Sequence, residues 1–367
     1  MKMKRIAVGV AVAMAATTSV AQADALLFPY VVSGSNVTTI VSTITDANYN
    51  GYTPAGQPGG TRLHWTMVSK TGENAVDNMA VCGEVNYFLP TSANDLQTVD
   101  LGGHLSNDGD AGVLFNDPSD NNNWRGGLGP LTYAMALASA GGNPDVPVRG
   151  YLMVDDATTN SALAPRLSGE AMVFDFTNGA AWGYRAFATS NTDTAVPVSN
   201  ATRDDFDFRG ASMVDGTQVS FMPLAEATTA FFVTPLNRNN GEAPSAAAAI
   251  ADMNPYDADK RFERLVTTVS MRTGAGVAYD RDENLVSGTT PRNVTCVGRL
   301  ELSELMSPGA ATVLADGGWG QLQTDNPGAQ PGRVPTSNAH VIKLEYNAAG
   351  SFLGNSINGA FNNATQL

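Results

Sequence analysis

The sequence predicts an all-β fold: an antiparallel β-sandwich, or two sandwiches sharing an interface, with few short helices. Three observations predict it. Apolar and polar residues alternate with a period of two through β-branched and aromatic stretches, which assigns one set of side chains to each face of a strand. Clusters of Gly, Asn, Asp and Pro separate those stretches, as across 51–60 and 116–123. The regular amphipathic helices that a parallel sheet needs between its strands are missing.

In chain order, the first element is an export signal. Lys2, Lys4 and Arg5 give a positive start, residues 6–16 are apolar, and Ala21-Gln22-Ala23 places small residues where a signal peptidase cuts. A first helix of the fold would show polar spacing and caps instead. The apolar run is too short to span a bilayer, and no later run of about 18 apolar residues replaces it. With no twin arginine and no lipobox cysteine, residues 1–23 read as a signal peptide of the general secretory pathway. The mature chain, 24–367, then starts at Asp24, works in the periplasm or at the cell surface, and has no transmembrane span.

Strands are expected at 26–32, 36–44, 62–69, 81–88, 148–154, 170–176, 182–187, 218–221, 230–234, 265–272, 294–300 and 341–346. Only 131–140 and 246–253 look helical, with a short turn at 303–306. No fixed-period repeat is present, which argues against a solenoid or propeller. The best candidate for a subdivision is 237–255, with its Asn, Gly, Pro and alanine run.

Cleavage sharpens the composition. Of 21 basic residues three are lost with the signal, while all 35 acidic ones remain, so the mature net charge is 18 − 35 = −17. That charge repels nucleic-acid backbones and anionic lipid surfaces. Charged residues are nevertheless sparse at 15%, against about 25% in typical soluble domains. Cys82 and Cys296 are the only cysteines. In an oxidising space a lone pair is most simply a disulfide, and metal or redox use would favour a C-x-x-C pair that is absent. Such a bridge crosses the 237–255 segment and favours one interleaved unit.

Several stretches resemble a family of exported bacterial proteins of unassigned role. They are Leu26-Leu27-Phe28-Pro29-Tyr30-Val31-Val32, Val81-Cys82-Gly83-Glu84-Val85-Asn86-Tyr87-Phe88 and Asp280-Arg281-Asp282-Glu283-Asn284, then Asn293-Val294-Thr295-Cys296-Val297-Gly298 and Asn358-Gly359-Ala360-Phe361-Asn362-Asn363-Ala364. The resemblance implies secretion and the cysteine pairing, and brings no activity with it.

Histidine chemistry has three candidates: His64, His104 and His340. Alternation puts Leu63, Trp65 and Met67 on the core face of their strand, and Arg62, His64 and Thr66 on a solvent face. A fainter similarity links His64, Trp65 and His104, with a methionine thioether, to methanotroph surface proteins that bind copper(I) through two histidines and an oxidised tryptophan. Neighbours on a strand point to opposite faces, so His64 and Trp65 share one site only at a bulge or strand end.

Calcium needs carboxylate and carbonyl oxygens on turns. Asp280, Asp282 and Asn284 match the alternating first ligands of a calcium loop, but Leu285 replaces the turn glycine and Pro291 the closing glutamate. Asp108 and Asp110, with Ser106, Asn116, Asp117 and Asp120, form a second oxygen-rich stretch; Asp204, Asp205 and Asp207 form a third.

No nucleophile elbow, phosphate loop, zinc-protease helix or dinucleotide motif is present, so no catalytic residue is assigned. Gly274-Ala275-Gly276 reads as a bulge or bend. Asp155-Asp156 offers the paired carboxylates of a glycoside hydrolase. Trp124, Trp182, Tyr184 and Trp319 offer aromatic faces for sugars, although Trp182 and Tyr184 alternate as core residues do.

Three functions follow in order of support. The first is a non-enzymatic secreted or surface protein, structural, adhesive or self-assembling, whose partners are itself or other surface components. The second is a secreted metal binder using copper or structural calcium, and the third a glycan-binding or glycan-active protein. Mass spectrometry of the protein exported by an expressing bacterium is expected to read residues 24–367 with both cysteines oxidised. An exported product that keeps residues 1–23 overturns the cleavage assignment.

Overall fold

The computed structural model describes residues 25–46, 62–70, 76–102, 113–115, 147–155, 167–177, 179–188, 217–224, 226–236, 264–272, 278–347, 351–352, 355–356 and 361–366. The signal segment 1–23, the expected helices at 131–140 and 246–253 and the 237–255 segment lie outside them.

The first half supplies β1 (Ala25–Ser33), β2 (Val37–Thr45), β3 (Arg62–Lys70), β4 (Gly83–Pro90), β5 (Leu96–Asp100), β6 (Val113–Phe115), β7 (Val148–Asp155), β8 (Leu167–Asp175), β9 (Ala180–Arg185) and β10 (Phe187–Ala188). The second half begins with β11 (Gln218–Phe221), β12 (Thr228–Leu236), β13 (Leu265–Met271), β14 (Ala278–Tyr279), β15 (Arg292–Thr295) and β16 (Gly298–Glu301). Two short helices follow, α1 (Leu302–Leu305) and α2 (Pro308–Ala315). The chain closes with β17 (Trp319–Asp325), β18 (Val334–Pro335), β19 (Asn338–Asn347), β20 (Ser351–Phe352), β21 (Asn355–Ser356) and β22 (Phe361–Gln366).

The fold is all-β and antiparallel, as the alternation predicts; β13 and β18 make a short parallel exception. Sheet I runs β6-β5-β2-β8-β9 and sheet II runs β10-β1-β7-β3-β4. Sheet III runs β11-β17-β13-β15, with β14 on β17, and sheet IV runs β16-β12-β19-β22. Sheets I and II enclose one core, where Leu26 and Phe28 reach across to Gly169 of β8. Sheets III and IV enclose a second, with Phe231, Val233, Val269, Leu322 and Val341. Strands on both sides of 237–255 share these last two sheets. No helix among the described residues is long and apolar enough to cross a membrane.

Sheet IV belongs to both cores. One face of β12 and β19 presents Phe231, Val233 and Val341 to sheet III, while Phe232, Ile342 and Leu344 on the other join the core of the first half. Eight consecutive residues of β19 are therefore buried, from Asn338 to Glu345, where a one-sided strand would alternate. Sheet II is likewise covered on both faces. Thr66, expected to meet solvent, is 2% exposed, and Val68 on the same face is fully buried.

The expected strand at 294–300 is two strands. Arg292–Thr295 pairs with β13 in sheet III, and Gly298–Glu301 pairs with β12 in sheet IV. The chain changes sheets at Cys296, whose φ of 64° lies in the left-handed region, a bend of the kind that lets one strand serve two packed sheets. The Val297 N–H donates to Thr295 O across this corner at 2.7 Å.

A strap at 76–82 binds the halves at the same corner. Asn78 donates to Arg299 O at 3.0 Å and accepts from the Arg299 N–H at 3.2 Å, while the Thr295 N–H donates to Asn78 O at 2.8 Å. Gly298 leaves room for this contact, since a Cβ there would lie 2.7 Å from Asn78 Oδ1. The strap ends in the disulfide Cys82–Cys296, which closes a sequence separation of 214. In the chain-entropy account such a bridge contributes on the order of 5 kcal/mol. Cys82→Ser with Cys296→Ser is expected to lower the unfolding free energy read from urea titration by an amount of that order, and the midpoint with it. An unchanged midpoint would show that the strap holds without its bridge.

Candidate functional site

Strand β1 sets the geometry of the site. Its register with β7 shifts between Phe28 and Val31, and Pro29, which has no N–H to leave unpaired, sits in the bulge. The carbonyls freed there are used elsewhere: Thr234 Oγ1 of β12 donates to Pro29 O, and the Tyr184 hydroxyl of β9 donates to Tyr30 O. Burial holds the Tyr184 phenol above its ordinary pKa range, so it remains a donor. One bulge thus ties sheet II to sheets I and IV.

A cleft of about 390 Å3 opens beside this joint, and the strand registers explain its lining. In sheet I, Val37, Asp175 and Ala180 lie opposite one another across β2, β8 and β9, and Val173 and Trp182 form the next such pair. In sheet IV, Phe232 faces Arg299 on one side and Ile342 on the other, so Arg299, Phe232, Leu344 and Tyr346 share one face. Sheet II brings Tyr30, Val32 and Arg149, the last two cross-strand partners. The turn Gly34-Ser35-Asn36 forms the rim.

The aromatic wall is layered. Tyr30 and Phe232 are buried and stack at 3.9 Å between ring centroids, and Trp182 lies parallel to Phe232 at 5.2 Å and 6°. Each such pair adds about 0.5–1.5 kcal/mol beyond the area it buries. Trp182 and Tyr346 are half-buried and present their remaining surface at the cleft.

Two of the polar groups are cationic, Arg149 and Arg299. Arg299 donates to Glu301 Oε1 and to the Tyr346 hydroxyl oxygen, each at 2.8 Å, and lies over the Tyr346 ring at 5.8 Å. Burial is the largest single influence and opposes its charge, but the hydrogen bond to Glu301 and the charges of Tyr346, Glu301 and Tyr30 together outweigh it and raise the pKa. Arg149 differs: its buried Nε meets no hydrogen-bond partner. Across the sheet Arg149 lies opposite Lys70, which is 2% exposed and donates to the carbonyls of Asp77 and Asn78 in the strap, at 2.9 and 3.2 Å. Burial drives the Lys70 amine down to about 7; Asp77 opposes the shift, and Arg149 and Arg333 add to it.

The sites expected from sequence fall elsewhere. Asp280, Asp282 and Asn284 form the tight turn after β14. There Asp280 Oδ1 accepts the N–H groups of Asp282 at 2.9 Å and Asn284 at 2.8 Å, and the Asn284 amide donates to both carboxylate oxygens. These bonds, the Asn284 side chain first, lower the Asp280 pKa. The carboxylate thus organises a turn. Trp65 is fully buried in the core, as are Leu63 and nearly so Met67; the backbone of His64 is in register with Phe88 and Asp155. His104, Asp108, Asp110 and the clusters at 116–120 and 204–207 lie outside the described residues, among which no three His, Cys, Asp or Glu side chains gather as metal ligands do. His340 is buried on β19 against the Phe187 ring.

No protein-family model matches this chain, and neither a curated protein nor a solved structure matches it significantly.

Lys70 generates a pH prediction. Its folded pKa of about 7 lies below the ordinary lysine value of about 10.4, so the unfolded chain holds a proton that the fold has lost between those limits. Stability therefore rises with pH across that window, by on the order of 4 kcal/mol in total, and the full penalty applies below it. Urea unfolding from pH 6.5 to 9.5 is expected to show this slope. Lys70→Met is expected to flatten it, and an equal slope in both proteins would contradict the assignment.

Proposed function

We propose that this chain is exported by the general secretory pathway and acts in the periplasm or on the cell surface as a non-enzymatic adhesive protein that holds a saccharide between its two sandwiches. The signal at residues 1–23 and the lone cysteine pair support the export. A single observation carries the rest: a cleft of about 390 Å3 lined by the half-buried rings of Trp182 and Tyr346 together with Arg149, Arg299 and the Asn36 rim. Apolar ring faces meet the C–H face of a sugar, while a few convergent polar groups fix its hydroxyls. The volume lies in the range of small-molecule sites, about 300–1,000 Å3. Among the described residues the lining carries one carboxylate, Asp175, whereas glycoside hydrolysis in most families employs two.

Binding of the oxidised chain from residue 24 to a broad glycan array, followed by titration with tryptophan fluorescence, tests this reading. Trp182→Ala is expected to weaken the best array hit tenfold or more in a chain that stays folded, with an unfolding midpoint lowered by the loss of its stack on Phe232. A chain that binds no glycan and forms filaments under the electron microscope would favour self-assembly instead.

A further inference from the structure

We infer that the cleft is built for an acidic saccharide, one whose ring carries a carboxylate, and that Arg149 is the residue that reads this group. The inference rests on the saccharide reading above and narrows its ligand.

Charge is the first argument. The chain holds 35 acidic residues against 21 basic ones, yet the described lining reverses that ratio, with Arg149 and Arg299 against Asp175. The two arginines are not equivalent. Arg299 is engaged by Glu301 and Tyr346, which fixes its plane and offsets its charge. The Nε of Arg149 is buried without a partner, a costly state for a donor on a charged group.

Register supplies the second argument. Val32, Arg149 and Lys70 form one cross-strand row on β1, β7 and β3. Like charges set directly opposite on antiparallel strands destabilise the pair, and Lys70 spends its hydrogen bonds on two strap carbonyls rather than on a carboxylate. A carboxylate entering from the cleft meets the terminal nitrogens of the forked guanidinium in the bidentate geometry that arginine favours, and offsets the charge of Arg149. The apolar face of the same ring then lies against Trp182, on the opposite wall. The overall negative charge of the protein opposes approach of an acidic glycan from a distance. That opposition is screened within about 8 Å at physiological salt, whereas a pair formed inside the cleft is screened much less.

The experiment compares uronic-acid glycans with their neutral counterparts on one array, using the oxidised chain from residue 24 and its Arg149→Gln, Arg149→Lys and Trp182→Ala variants. The acidic members are expected to bind at least tenfold better than the neutral ones. Arg149→Gln is expected to lower binding of the acidic members at least tenfold more than that of the neutral ones, and so abolish the preference, without lowering the unfolding midpoint; Arg149→Lys is expected to keep part of it, and Trp182→Ala to lose both classes. Equal binding of acidic and neutral members, or an Arg149→Gln protein that keeps the preference, overturns the inference and leaves the saccharide reading standing. Binding to neither class overturns both. Should Arg149→Gln fail to fold, loss of the preference on raising salt from 0.05 to about 0.5 M with neutral binding unchanged gives the same answer, and a salt-insensitive preference overturns it.

Discussion

The bulge at Pro29 and Tyr30 is the constraint from which the rest of the architecture follows. A strand interior normally spends its carbonyls on its own ladder. At this point the ladder slips, and proline removes the donor that the slip would orphan, so two carbonyls turn to other sheets. Thr234 and Tyr184 take them up, and both bonds lie in buried surroundings where an unmet partner is expensive. The Tyr30 ring follows its backbone out of the sheet and stacks on Phe232, which in turn lies parallel to Trp182. The joint between sheets and the wall of the cleft are thus one piece of construction.

Because sheet IV is covered on both sides, the two halves are not separable sandwiches laid side by side. Removing the first half would uncover Phe232, Ile342 and Leu344, all at most 7% exposed. The cationic groups at this junction sit uneasily within it. Lys70 is held in a nearly closed space by carbonyl acceptors, and the strap that offers them also carries Asn78 and Cys82 to the second half. A residue that weakens the fold is thereby placed where it joins the cleft to the seam.

Much of the fold was legible in the residues themselves. Wherever large β-branched or aromatic side chains alternate, as in β1, β3 and β12, strands lie where expected. Strands built from small or polar inward residues escaped notice: β17 turns Gly320, Leu322 and Thr324 inward, and β5 buries Gln97, Thr98 and Asp100, the last bonded to Thr38. Helix α2 carried a readable start, with Ser307 accepting the Ala310 N–H and Pro308 in the first turn. The corner at Cys296 was hidden because a left-handed cysteine has no pattern in sequence. The cleft was hidden for a different reason. Trp182 drew attention as a possible sugar platform, but Arg149 and Arg299 are ordinary in their own strands, and only the pairing of distant segments sets them around one cleft.

The disulfide has a mechanical consequence for a chain pulled from its two ends. Tension applied between the ends acts through the residues before Cys82 and after Cys296, since the bridge between them cannot lengthen. The enclosed span of 214 residues would extend to roughly 700 Å if pulled straight, and all of that length is withheld while the bond is intact. Of the groups that line the cleft, Asp175, Trp182, Arg149 and Phe232 lie inside the shielded span; Tyr30, Arg299 and Tyr346 lie on the segments that carry the force. Pulling would therefore draw Tyr30, Arg299 and Tyr346 away from the shielded groups before it unravelled the middle of the chain, and a bound ligand bridging the two sets would resist that first step directly.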